Sequence, residues 1–181
     1  MEEQINLVDG NGNRLGGIGK LPAHEQGLLH EAFSIFVFNE KDEVLLQRRA
    51  LTKYHSGGLW TNTCCGHPRV GEELSASAHR RLGEEMGFDC GLTELYAFTY
   101  KVHITEGSLT EHEYDHVLVG QVSSGDIALI PNPEEVCEYR WMDIGDLLAD
   151  ASLHPEHYTT WFKIILSDHD LHQLRDGVHI Q

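Results

Sequence analysis

Apolar and polar positions alternate in blocks along the chain, and changes of period mark out its elements. Ile5-Asn6-Leu7-Val8 reads as a short strand, and the Asp9-Gly10-Asn11-Gly12 run after it supplies the positive φ that a hairpin turn requires. Phe33-Ser34-Ile35-Phe36-Val37-Phe38 is β-branched and aromatic; it predicts a strand that turns at Asn39-Glu40-Lys41-Asp42 into a second one at Val44-Leu45-Leu46-Gln47-Arg48. From about Glu73 to Met86 the period becomes helical. Leu74, Ala78, Leu82 and Met86 recur at every fourth position, Ser77, Arg81 and Glu85 occupy the opposite side, and Gly87 suits the position just past a helix. Further strands are expected over Leu95–His103, Glu113–Val122 and Glu138–Met142, then a closing helix over about Pro155–Leu166 with a resumption toward Leu174. Phe33, Phe36 and Trp141 are the core candidates among the aromatics.

Strands and helices mixed without βαβ regularity place the chain in the α+β class, a mixed β-sheet flanked by helices. At 181 residues and 40% apolar content, one domain can bury a core without disulfide or metal staples. No apolar run approaches the roughly 18 to 20 residues of a membrane span. The start Met1-Glu2-Glu3-Gln4 lacks the basic residues of a targeting segment, so a cytoplasmic location is expected. A net charge of −16 argues against nucleic acid as a partner, and an anionic substrate would need a local basic patch. Cys64, Cys65, Cys90 and Cys137 form no CxxC pair, and adjacent Cys64 and Cys65 do not easily bridge, so reduced thiols are expected.

The chemistry concentrates in one short stretch, residues 61–87. Thr61-Asn62-Thr63-Cys64-Cys65-Gly66-His67-Pro68 reads as a loop; Glu72 and then Glu84-Glu85-Met86-Gly87 follow it. A Cys/His loop running into a helix that ends in paired glutamates can present a proton donor together with oxygen ligands for a hard cation. Read alone, Cys65 is more readily a small buried hydrophobe than a catalytic group. Glu111 and Glu113 would share one side of an extended segment and aim at one centre; the plainer alternative is a solvated face of an acidic protein.

Gly66-x5-Glu72-x7-Arg80-Arg81-Leu82-Gly83-Glu84-Glu85-Met86-Gly87-Phe88 resembles the Nudix box, a loop-helix-loop signature for a divalent cation and a diphosphate. Diphosphate-cleaving members have Arg-Glu where this chain has Arg80-Arg81. The exchange removes a carboxylate and adds a cation, which favours holding a diphosphate over splitting it. Together with the Thr61–Pro68 cysteine motif, Glu111-His112-Glu113, and similarity running from Lys20-Leu21-Pro22-Ala23-His24 to Trp161, the chain resembles the type I isopentenyl-diphosphate Δ-isomerases.

That resemblance implies a Nudix-like single domain over residues 1–181, with the box-like segment at 66–88, and interconversion of isopentenyl and dimethylallyl diphosphate through a tertiary carbocation. Such a shift of a double bond needs a proton added at one carbon and another removed nearby, hence two acid/base groups on opposite faces. By resemblance these are Cys65 and Glu113, with Tyr100 supporting the carboxylate and Trp161 shielding the cation. The family positions matching His24, His30, His67, Glu111 and Glu113 imply one divalent metal, Mn²⁺, Mg²⁺ or Zn²⁺. Glu85 implies a Mg²⁺ shared with the substrate diphosphate. Lys20, Arg49, Lys53 and Arg81 resemble the cations that clamp the diphosphate, while Arg48 and Arg80 could equally face water. Trp60 is a further candidate for lining the pocket. The expected partner is thus a small allylic or homoallylic diphosphate, with neither nucleic acid nor membrane. The rival enzyme reading is a Nudix hydrolase of a nucleoside diphosphate derivative; a third is a non-catalytic metal or redox module.

Overall fold

The computed structural model describes residues 3–53, 55–104, 108–168 and 171–178. The first predicted hairpin forms as β1 (Gln4–Val8) and β2 (Arg14–Gly19), antiparallel, and α1 (Lys20–Gln26) follows directly. The central strand is β3 (His30–Phe38), in which all nine residues are buried. A strand covered on both faces tolerates a continuous apolar run rather than alternation, which is why 33–38 is so uniformly hydrophobic.

On one edge of β3 runs β8 (Leu109–Gln121), parallel to it in the register His30↔Glu113 through Phe38↔Gln121. On the other edge β3 meets β1 at Leu7↔His30, β6 (Cys64–Gly66) at Phe33–Ile35, and β4 (Val44–Arg49) at Phe38↔Val44. Beyond β8 lies β7 (Leu92–Ile104), its antiparallel hairpin partner; β4 also pairs with β5 (Trp60–Thr61) and β9 (Val136–Met142). The described strands make a nine-stranded mixed sheet.

Two apolar layers sandwich β3. Phe33, Ile35 and Val37 pack under α2 (Leu74–Met86) through Ala78, Leu82 and Met86. Phe36 and Phe38 face the opposite way, toward Leu147 of α3 (Ile144–Leu153), Trp161, Phe162 and Ile165 of α4 (Thr160–Asp168), and Leu171 and Leu174 of α5 (Leu171–Val178). This is the expected helix-flanked mixed sheet. Among the described residues no helix is long and apolar enough to cross a membrane, and all four cysteines are free thiols.

The sequence placed α2 within a residue, and its stop has a visible cause. Gly87 takes φ 75° and its N–H returns to the carbonyl of Gly83; a Cβ there would lie 2.3 Å from the Ile130 carbonyl oxygen. The polar side of this helix is not a solvated face, because Ser77 and Glu85 are buried.

Three expectations need correction. The cysteine loop is partly strand: β6 hydrogen-bonds to β3, and Gly66 at its end lets the Phe33 ring approach to where a Cβ would be 2.7 Å away. The closing helix is broken, with a 3₁₀ turn over Pro155–His157, Tyr158 extended (φ −118°, ψ 145°), and α4 only from Thr160. The break arises because Tyr158 pairs with Trp60 and Thr159 donates its N–H to the Trp60 carbonyl, so tertiary bonding overrides local helicity. Finally, α1 and α3 were not anticipated. For α3 the signal was Asp143, whose carboxylate caps the helix by accepting from the N–H groups of Gly145 and Asp146.

Glu72 and Arg80, both in the box-like segment, form a forked ion pair at 2.7 and 2.8 Å that ties the loop before α2 to the helix, and Arg80 also reaches Glu84. Arg80 is therefore a structural cation. The Arg80 guanidinium holds the Glu72 carboxyl at a pKa of about 2, below its usual 4.5. A carboxyl depressed on folding stabilises above its unfolded value and loses that contribution as pH falls through its folded one. Glu72→Gln is expected to cost about 1 kcal/mol at pH 7, solvent screening included, and the gap to wild type should close as pH drops from about 4.5 toward 2. Urea midpoints of both proteins across that range check it; a gap independent of pH would contradict it.

Candidate active site

Elements that are distant in sequence bring their ends to one cleft, partly open to solvent. α1 delivers Lys20 and His24, the end of β4 Arg49, and the following loop Lys53. β6 delivers Cys65 with His67 just after it, α2 Arg81 and Glu85, β7 Tyr100, β8 Glu111 and Glu113, and α4 Trp161. Every residue given a catalytic, metal or diphosphate role from the sequence lines this cleft except His30, which sits fully buried beside it, its Nε2 3.6 Å from Glu113. Trp60 is not in the lining; the Arg140 guanidinium lies over its ring at 4.2 Å.

Glu113 is the hub. Tyr100 donates its hydroxyl to one carboxylate oxygen at 2.6 Å, and His67 Nε2 lies 2.9 Å from the other. Burial pushes its pKa up, but the imidazoles of His30 and His67 outweigh that and hold it well below the ordinary value, so Glu113 is ionised. Tyr100 is the converse: burial and the Glu113 charge push its phenol up, so it stays a donor. Glu111 is raised by burial and by Glu113.

The histidine cluster fits a cation. His24 and His30 each hold Nδ1 against a backbone carbonyl, that of Lys20 at 2.7 Å and Leu28 at 2.8 Å. A carbonyl only accepts, so in the neutral ring the proton sits on Nδ1 and the Nε2 lone pair points inward. Those Nε2 atoms, and Nδ1 of His67, are buried and make no well-formed hydrogen bond. Ring centroids of the three histidines lie 4.6, 5.4 and 5.1 Å apart, and His24, His30, His67 and Glu113 each offer a donor atom within 4.8 Å of the rest. Glu111 stands at the rim of this group, 3.1 Å from His24 Nε2. Inward lone pairs facing carboxylates repel unless a cation or proton lies between them: a proton on His30 Nε2 is what lets that ring hold Glu113 down, a metal ion would take the proton's place, and backbone-anchored imidazoles are the usual support of metal ligands.

Cys65 lies on β6 and Glu113 on β8, so the two flank β3 from opposite edges. Burial, with Asp115 and Glu85 nearby, pushes the Cys65 thiol up to about 12, so it carries its proton at neutral pH. Its sulfur donates to Asn62 Oδ1 at 3.1 Å. Cys64 points into the core and is fully buried.

The cations collect on another part of the lining. The Arg49 guanidinium lies 5.1 Å from the Trp161 ring centroid. Burial pushes the Lys20 ammonium down. Arg81 contacts both Glu84 and Glu85 and lies 3.5 Å from Glu135, which also pairs with Lys53. Burial disfavours the Arg81 charge, but Glu85, Cys64 and Glu135 raise it overall. Glu85 additionally accepts from Gln47 at 2.7 Å.

Several groups in or behind the cleft wall escaped sequence reasoning: His55, in the lining and 3.4 Å from Glu111; Ser34, in the lining, which donates to Asp115 at 2.9 Å; Asp115 itself, fully buried; and Glu135, which pairs with the lining cations Lys53 and Arg81. Asp115 could have been found by continuing the period of two from Glu111 and Glu113, and β8 does bury every second residue there. Ser34 is hidden within an apolar run, and Glu135 lies in a polar loop without any periodic signal.

The sheet, the helix with its box-like loop and the cleft define a class of protein. Residues 28–162 match the NUDIX domain. A crystal structure from Deinococcus radiodurans shares the fold (TM-score 0.66, 20% identity, 83% of this chain and 90% of that one). The chain is 52% identical over 167 residues to Isopentenyl-diphosphate Delta-isomerase 2 of Photorhabdus laumondii, 92% of each chain. It is 46% identical over 179 residues to Isopentenyl-diphosphate Delta-isomerase of Burkholderia multivorans, 99% of each. The chain belongs to the isopentenyl-diphosphate Delta-isomerase family of NUDIX proteins.

Proposed function

We propose that this protein interconverts isopentenyl and dimethylallyl diphosphate by protonation and deprotonation. The observation that carries the reading is the pair Cys65 and Glu113, one a thiol and the other a carboxylate, lining one cleft from opposite edges of β3. One group adds a proton at the terminal carbon, leaving a tertiary cation; the other takes a proton from the adjacent methylene, and the double bond forms there. The reverse reaction exchanges their roles. The thiol carries its proton and Glu113 is ionised, so the resting pair holds one proton to give and one vacancy to receive.

Trp161 offers its ring face to the cation, and the surrounding side chains keep water, which would trap it as an alcohol, away from the carbon skeleton. Lys20, Arg49, Lys53 and Arg81 bind the diphosphate, which displaces the carboxylates of Glu135 and Glu85 from the last two. Glu85, freed from Arg81, would serve as an oxygen ligand for a Mg²⁺ accompanying the diphosphate. His24, His30, His67, Glu111 and Glu113 would hold one further divalent cation, Mn²⁺, Mg²⁺ or Zn²⁺. When bound, it supplies positive charge that fixes Glu113 in place and tunes its proton affinity.

Incubation with isopentenyl diphosphate in heavy water tests the reading. Dimethylallyl diphosphate carrying deuterium, without phosphate release, is the expected product. Release of phosphate or a monophosphate from a nucleoside diphosphate derivative would favour a hydrolase instead, and divalent metal retention without turnover would favour a binding module.

A further inference from the structure

A chain of buried hydrogen bonds runs behind the cleft wall and joins two of its working groups. Trp161 donates its indole N–H to Thr61 Oγ1 at 3.0 Å. The Thr61 hydroxyl donates onward to Asn62 Oδ1 at 2.9 Å, and Asn62 Oδ1 accepts the S–H of Cys65 at 3.1 Å. Thr159, two residues before Trp161, adds its own hydroxyl to Thr61 Oγ1 at 3.1 Å.

The direction of each bond follows from valence. Both N–H bonds of the Asn62 amide are committed, to the carbonyls of Ile35 at 3.1 Å and Cys64 at 2.9 Å. Turning the amide over would set its oxygen against two acceptors, so Oδ1 must face Thr61 and Cys65. Indole nitrogen only donates, so Thr61 must accept from it and spend its single proton on Asn62. Nothing in the series is free to rotate. Thr61, Asn62 and Thr159 are all essentially inaccessible to solvent, where a broken link leaves an unpaired polar group.

We propose that Thr61 and Asn62 are positioning residues: they form a strut that sets the sulfur of Cys65 and the indole of Trp161 in one frame, so that proton donor and cation-shielding ring address the same carbon. This rests on the isomerase reading for its consequence in catalysis, but the strut itself can be measured without turnover. It also accounts for two neighbouring polar residues in the buried segment that leads into Cys65, where packing alone would be served by apolar ones.

Thr61→Val keeps the shape and removes the hydroxyl. Since a displacement of about 1 Å at a reacting group can cost roughly 10²-fold in rate, kcat should fall about 10- to 100-fold with KM within about twofold. Thr61→Ser should restore most of the loss. Alkylation of Cys65 by iodoacetamide at one fixed pH, followed by peptide mass and referenced to exposed Cys137, should change rate in the Val variant and return in the Ser variant. A Thr61→Val protein with wild-type kcat and unchanged Cys65 alkylation overturns the proposal. Should that variant not fold, Cys65→Ala read at the three indole ¹H–¹⁵N resonances decides: the Trp161 signal should move and that of Trp141 should not, and a stationary Trp161 signal refutes the strut. If wild type shows no isomerisation, the isomerase reading fails, while alkylation and indole shifts still judge the strut.

Discussion

Cys65→Ala is expected to lower the isomerisation rate by roughly 10³- to 10⁴-fold while leaving the protein folded, the upper range for loss of a positioned general acid or base. The thiol is in the cleft lining and, among the described residues, hydrogen-bonds to Asn62 and, more loosely, Ser34 at 3.8 Å, so truncation leaves the sheet bonds of β6 untouched. No other thiol can substitute: Cys64 is next in sequence but strand alternation turns it into the core against Phe33 and Leu82. Cys64→Ala should therefore do the opposite, costing about 1 kcal/mol of stability through the small cavity it leaves, with the rate nearly unchanged. Turnover numbers and urea midpoints for the two variants form one experiment. Turnover of Cys65→Ala within tenfold of wild type would remove the thiol from the mechanism.

Glu113→Gln carries the second large effect, and it should appear in two readouts together. The amide fills the same volume, but its charge is gone. His30 and His67 lose the anion they face, and the base that would take the substrate proton is lost with it. The rate is expected to fall about 10³-fold or more. Affinity for Mn²⁺ should weaken by well over the roughly 10- to 100-fold that accompanies loss of an outer-shell partner, because here a donor atom itself is replaced. Calorimetric titration of the metal-free protein measures the second effect without substrate. Unaltered Mn²⁺ affinity would take Glu113 out of the ligand group even if the rate collapsed, and an unaltered rate would leave it a ligand alone.

The arrangement explains how an acidic chain can hold an anionic substrate. Lys20, Arg49, Lys53 and Arg81 converge on the cleft, although they come from a helix start, a strand end, a loop and a second helix. Glu135 and Glu85 pair with two of them, Lys53 and Arg81. That internal pairing keeps a half-buried cationic patch from standing uncompensated, and a diphosphate offers the same forked acceptors with more charge.

Local rules carried part of this structure. Helix α2 and its glycine stop, the β3–β4 turn and the first hairpin could be read in the chain, because each depends on residues a few positions apart whose spacing equals the period of the element. The shared side of Glu111 and Glu113 was legible for the same reason, and it extends to Asp115. Folding decided the rest. The two- and three-residue strands carrying Trp60 and Cys65 exist only because β4 and β3 offer them hydrogen-bonding edges, and the break at Tyr158 exists only because Trp60 binds it.

The sequence by itself determined which side chains with acid, base or ligand character were available, and through local periodicity which of them share a face. It could not determine that His24, His30 and His67 gather their ring nitrogens around Glu111 and Glu113, or that a thiol and an indole hang on the same Asn62–Thr61 strut. Those facts depend on contacts between residues up to 100 positions apart, and such contacts are fixed only when the sheet closes around β3 and its two apolar layers exclude water.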